Sequence, residues 1–209
     1  MAQVQNIADI LHPNYVQPRK EENKKKGLLL ASNDLQKKMA EVGRRYGTRE
    51  QFMQKMSPRF QPYAAQNPER AYFGDAPTLA VVNRTYGDNT ATIWLIPQIN
   101  SVTRFCKDKV TDEVTEELAI SIAVRYYYLK TSELMMFFQN YKMAVYGEPK
   151  FKSITTALRQ NFLEERKAAY AKRVQEEERK KREAWENDDN ITYQEYLRRK
   201  NLQSNGEKE

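Results

Sequence analysis

Cysteine and histidine are almost missing from this 209-residue chain, with one of each, Cys106 and His12. A single cysteine excludes an internal disulfide and suits a reducing compartment. A structural zinc needs about four thiolate, imidazole or carboxylate ligands, and two isolated residues cannot supply them. A cysteine–histidine or serine–histidine–aspartate nucleophile would have to recruit His12 from the N-terminal segment, far from any other chemistry-bearing cluster. Glycine is scarce as well. The 7 glycines are scattered, and no Walker-type or dinucleotide-binding glycine loop is present, so an ATPase, kinase or nicotinamide enzyme is not expected. No apolar run approaches the roughly 20 residues that cross a bilayer. The first residues, MAQVQNIADILHPNY, lack the basic start and apolar stretch of a signal peptide.

What the chain has is charge and aromatic bulk. Charged residues make up 30% and the formal net charge is +7. Residues 1–60 hold 12 Lys/Arg against 6 Asp/Glu, residues 61–159 hold 11 against 10, and residues 160–209 hold 12 against 12. The excess therefore sits in the N-terminal 60 residues. Such a segment either meets a polyanion through counterion release or is a solvated arm. Its candidate phosphate contacts are Arg19, Lys20, Lys24, Lys25, Lys26, Lys37, Lys38, Arg44 and Arg45.

Four regions follow from the pattern. Residues 1–60 read as a basic N-terminal arm with short helices. Val4, Ile7, Ile10 and Leu11 suggest one amphipathic turn before Pro13. A helix from about Asn33 to Tyr46 puts Leu35, Met39 and Val42 on one face and stops at Gly47. A second, TREQFMQKM, is capped by Thr48. Residues 61–78, with Pro58 just before them, form a Pro-rich aromatic connector. Pro62, Pro68 and Pro77 predict a linker or a surface wrap, and Phe60, Tyr63, Tyr72 and Phe73 favour a wrap that docks on a core.

Residues 79–165 read as a helical core domain. Leu79, Val82 and Tyr86 mark a short helix closed by Gly87, and Ala91 to Phe105 a longer one containing Pro97. Strands are an open alternative for TLAVV and TATIWLI. The densest block of apolar and aromatic residues runs from Thr111 to Gly147. Its first half predicts a helix with Val114, Leu118, Ile122, Arg125 or Tyr126, and Leu129 on the periodic face, and Ala119 and Ala123 permitting a close neighbour. Its second half predicts a stripe of Leu134, Phe137, Phe138, Tyr141 and Val145. Residues 166–209 read as a charged helical extension, laced with Glu–Lys/Arg pairs three or four apart, and a tail. The fold class is mainly α: a small helical bundle with a basic N-terminal arm and a long charged C-terminal helix.

Candidate interface residues are Tyr127, Tyr128, Tyr141, Tyr146 and Trp185, large rings that either anchor a protein partner, stack bases or pad a small core. Carboxylates one turn apart (Glu113 and Glu117, Asp112 and Glu116) and the neighbours Lys130 and Glu133 are the nearest approach to acid–base or metal chemistry. Ordinary solvated helix faces account for them.

The pieces Tyr127–Tyr128–Leu129–Lys130, Ser132–Glu133–Leu134, Phe137–Phe138 and Tyr146–Gly147 resemble a family of small uncharacterised proteins from Bacteroidetes genomes and their mobile elements. Ala76–Pro77–Thr78–Leu79, Tyr86–Gly87 and Trp94–Leu95 fit the same layout, over roughly residues 73–165. The resemblance implies no activity and no catalytic residues; its setting implies a role in replication or maintenance of a mobile element or phage, or in a virion. The expectation is a non-enzymatic, cytoplasmic, DNA-associated accessory or adaptor protein. It would touch DNA through the phosphate backbone and a protein through its aromatics, with no cofactor, metal, membrane or small-molecule substrate. The alternative is a structural assembly protein whose extensions wrap neighbouring subunits of a virion or other large complex. A metal-dependent nuclease ranks third.

Overall fold

The computed structural model describes residues 33–186 together with residues 194, 195, 197, 198, 200 and 201. Among them the protein is mainly α, and the only β feature is an isolated antiparallel bridge between Thr78 and Lys130. The cluster Arg19 to Lys26 and the apolar turn at residues 4–11 lie outside the described residues.

Helix α1 spans residues 33–46 and buries Val42 and Tyr46. Gly47 ends it with φ +78°, a left-handed conformation that glycine adopts without steric cost. Helix α2 (Arg49–Lys55) opens on a reciprocal cap, in which the Thr48 hydroxyl accepts from Gln51 N and the Gln51 side chain accepts from Thr48 N. Phe52, wholly buried, and Met56 anchor it. These helices belong to the common core: Trp94 Nε1 and Gln98 Nε2 both donate to Met56 O, at 2.7 and 2.8 Å. The N-terminal 60 residues are thus no detached arm from α1 onward.

Residues 58–66 and 68–73 are helical and lie against the core. A 3₁₀ turn (Pro58–Phe60) leads into α3 (Gln61–Gln66) and α4 (Pro68–Phe73). Pro58, Pro62 and Pro68 each stand in the first two positions of their element, where a missing N–H costs no hydrogen bond and φ is already helical. Tyr72 is buried, Phe60 and Phe73 pack partly against the core, and Tyr63 stays exposed.

Helix α5 (Leu79–Tyr86) is capped by Thr78 and α6 (Thr90–Thr103) carries Pro97 in its interior, so both strand alternatives fail. Helix α7 (Asp112–Arg125) starts on the Thr111 cap. Its inward residues are Thr115, Ala119, Ile122 and Ala123, with Val114 exposed and Leu118 half-buried. The buried face is rotated towards the small residues, which let α7 lie close against α6. The chain then breaks helix: Tyr126 to Lys130 runs alongside Pro77–Ala80, with Leu79 N donating to Leu129 O and Thr131 N to Pro77 O.

Helix α8 (Thr131–Lys142) is the centre. Thr131, Glu133 to Phe138 and Tyr141 are all buried, because α3, α4 and α6 surround it. Each fully buried large apolar side chain there contributes roughly 1.5–3 kcal/mol. Val145, expected in the same stripe, lies beyond the helix end and is exposed. Finally α9 (Ile154–Ala157) passes through a π turn (Leu158–Phe162) into α10 (Leu163–Glu186). The first turns of α10 dock on α4: Tyr170 packs on Tyr72 and Phe73, and Arg173 pairs with Glu69 at 3.1 Å.

Candidate functional site

The most chemically loaded cluster forms where α4, α8 and α10 meet. Glu133 is wholly buried. One carboxylate oxygen accepts from Lys130 N at 2.8 Å, and the other accepts from Arg166 Nε at 2.8 Å. Arg166 also lies 4.5 Å from the Tyr170 ring centroid, and the Tyr170 hydroxyl donates to Tyr72 O at 2.9 Å. Lys130 Nζ donates to Tyr72 O and Gly74 O at 2.7 and 2.9 Å, and burial lowers its pKa. Lys130 thus closes the end of α4, and Glu133 caps the start of α8 and braces α10, so both groups are held in contacts within the fold. Among the described residues no group of three or more His, Cys, Asp or Glu side chains could hold a metal ion. Burial pushes the Cys106 thiol up, away from the reactive thiolate.

The tyrosines divide. Tyr141 is 1% exposed, and its hydroxyl donates to Lys150 O at 2.7 Å. Tyr146 stacks on Phe137 and donates to Glu165 at 2.8 Å; burial raises its pKa. Both side chains are engaged in contacts inside the domain. Tyr127 and Tyr128 remain exposed, with their rings edge to face at 5.7 Å. Trp185 is half-buried near the end of α10, remote in sequence from them.

The basic candidates also divide. Lys37, Lys38 and Arg44 are exposed on α1, and none forms an ion pair among the described residues. Arg45 is committed, bonding Asp75 at 3.0 Å and Glu41 at 3.6 Å, which raises its pKa. The Arg45–Asp75 pair lines two adjoining clefts. One of about 370 Å³ lies between α1 and residues 73–78, with Lys38 and Lys130 on its walls. The other, about 920 Å³, is lined by Lys55, Phe60, Tyr63, Asn67 and Arg70. Tyr63 stands 64% exposed there, 6.2 Å from Phe60, over which Arg59 sits at 4.8 Å.

The sequence pattern marks Tyr63 only as a ring that docks on a core and does not mark Arg70, because the prolines around them suggest a connector. The available signal is a basic residue close to aromatics at each end of the segment, Arg59 beside Phe60 and Arg70 near Tyr72 and Phe73.

The class defined so far is an all-helical domain with a basic, aromatic-bearing cleft. Residues 109–207 match the model of a protein family of unknown function (DUF6633). The match takes in α7 to α10 but few of the residues that line the α1–α4 clefts (Lys130 in one, Ser132 and Met135 in the other), whereas the resemblance drawn from motifs runs over roughly residues 73–165. No curated protein and no solved structure matches the chain.

Proposed function

We propose that this protein is a non-enzymatic, DNA-associated accessory or adaptor protein that acts in replication or maintenance of a mobile element. The observation that carries the reading is the unpaired basic surface of α1. Val42 and Tyr46 fix the helix to the core, while Lys37, Lys38 and Arg44 are exposed and have no carboxylate partner among the described residues. They continue, in sequence, the cluster Arg19 to Lys26. Cations of this kind position a nucleic-acid backbone without reading bases. The neighbouring cleft adds Lys55 and Arg70 beside the exposed ring of Tyr63, a pairing of cation and aromatic that suits single-stranded segments. Tyr127 and Tyr128 supply an exposed aromatic pair for a protein partner.

The test is a titration of the full chain with single- and double-stranded DNA from low to physiological salt. It is run beside a variant carrying Lys24→Gln, Lys25→Gln, Lys26→Gln, Lys37→Gln, Lys38→Gln and Arg44→Gln. The reading expects salt-dependent binding whose logarithmic salt slope flattens in the variant, by about 0.7–0.9 for each phosphate that is no longer neutralised. Binding that is absent, or equal in both proteins, removes the DNA role.

A further inference from the structure

Arg125 closes the last turn of α7, and Arg159 lies in the π turn that joins α9 to α10. A π turn is one residue wider than the α-helix around it, and such turns are frequent at functional sites. Here Leu158 and Phe162 keep the turn anchored in the core, both wholly buried, while Arg159 is exposed. Arg125 and Arg159 then line one cleft of about 250 Å³ with Ser121, Thr155 and Thr156. Its remaining walls are Ile122 and Tyr126, 0% and 5% exposed, so the cleft has a buried floor and a polar rim.

No carboxylate lines this cleft, and neither arginine forms an ion pair or hydrogen bond among the described residues. Arg45, Arg166 and Arg173, which brace the fold, each pair with a carboxylate. A helix C-terminus favours a cation, which accounts for Arg125 but not for Arg159 or the hydroxyls. Two guanidinium groups facing one cleft repel each other unless an anion sits between them. Their planar forks match the oxygens of a phosphate, and serine and threonine hydroxyls can donate to the same group.

We propose that Arg125 and Arg159 form a phosphate-binding site, with Ser121, Thr155 and Thr156 as supporting donors. The site shares no lining residue with the clefts beside α1, so it stands or falls apart from the DNA reading above. All seven of its lining residues fall within the 109–207 family match. The phosphate is carried either by a nucleic-acid strand or by a small phosphorylated molecule.

Inorganic pyrophosphate is titrated into the full chain while the arginine Nε–Hε signals are followed by NMR. The signals of Arg125 and Arg159 are expected to shift saturably, with the others little changed. Arg159→Gln is expected to weaken binding by about tenfold or more, as removal of a charge-assisted hydrogen bond does. Arg104→Gln, at an exposed arginine outside the cleft, is expected to leave binding unchanged. An oligothymidine that displaces pyrophosphate assigns the site to strand phosphates, and one that does not assigns it to a free phosphorylated ligand. Shifts that fail to saturate, or that Arg104→Gln reduces as much as Arg159→Gln, overturn the proposal.

Discussion

Arg166 donates through Nε to Glu133 at 2.8 Å, joining the long C-terminal helix to a carboxylate with no solvent exposure at the centre of the bundle. Truncating one member of a buried ion pair strands the other, at a cost of about 3–5 kcal/mol. Arg166 is itself 24% exposed, so its own charge is only partly desolvated, which places the expected loss near the lower end. Arg166→Ala is therefore expected to destabilise the protein by about 3 kcal/mol in urea unfolding. Glu133→Gln combined with Arg166→Met, which removes both charges, should recover most of that loss. A single Arg166→Ala variant with unchanged stability would show that the pair is dispensable.

Lys130 closes α4 as a cap supplied from elsewhere in the chain, its ammonium reaching Tyr72 O and Gly74 O. Lys130→Met keeps the apolar stem and deletes both charge-assisted bonds. The expected loss is about 2–3 kcal/mol, seen as a lower urea midpoint with unchanged m-value. A shift in the m-value instead would mean that α4 and α10 had come away from the core.

Most helix boundaries were legible from caps and stops: Thr48, Thr78 and Thr111 accept from the backbone where a helix begins, and Gly47 and Gly87 end helices at positive φ. The segment 57–78 was not legible. Proline breaks a helix interior but suits a helix start, and composition alone does not separate the two uses. On α7 and the turn after it, Ile122, Tyr126 and Leu129 are buried as the period predicts, but the close approach of α6 brings Ala119 and Ala123 inward, leaving Val114 exposed and Leu118 half-buried. Pairings such as Glu133 with Arg166, or Arg125 with Arg159, depend on how distant segments meet, and no local pattern announces them.

Alkaline pH should unfold the protein cooperatively. Burial raises the pKa of Tyr72 to about 12, and it also raises those of Tyr141, Tyr146 and Tyr170. A folded-state pKa above the unfolded value near 10 gives stability that is complete below pH 10 and is lost as pH rises through the folded value. Tyr72 is one of the groups whose ionisation drives the loss across that window. Lys130 and Lys142 act with the opposite sign, since burial lowers their pKa values and stability from them grows as pH approaches 10.5. The tyrosines outnumber them, so stability should fall between pH 10 and 12. Tyr72→Phe should flatten that fall, as followed by circular dichroism; a fall of equal steepness would remove Tyr72 as a cause.

Tyr63 separates stacking from simple charge attraction in the DNA reading. Its ring is 64% exposed beside Arg70 in the wider cleft, and the packed faces of α3 do not depend on it. Base stacking on an aromatic ring is worth about 1–3 kcal/mol. Tyr63→Ala should therefore weaken oligothymidine binding by about five- to a hundredfold at fixed salt, leave the salt slope unchanged, and alter thermal stability little. Tyr63→Phe should retain the affinity, because stacking uses the ring face and not the hydroxyl. A Tyr63→Ala variant that binds as tightly as the parent would confine DNA contact to the lysines and arginine of α1, and would leave this cleft for a different ligand.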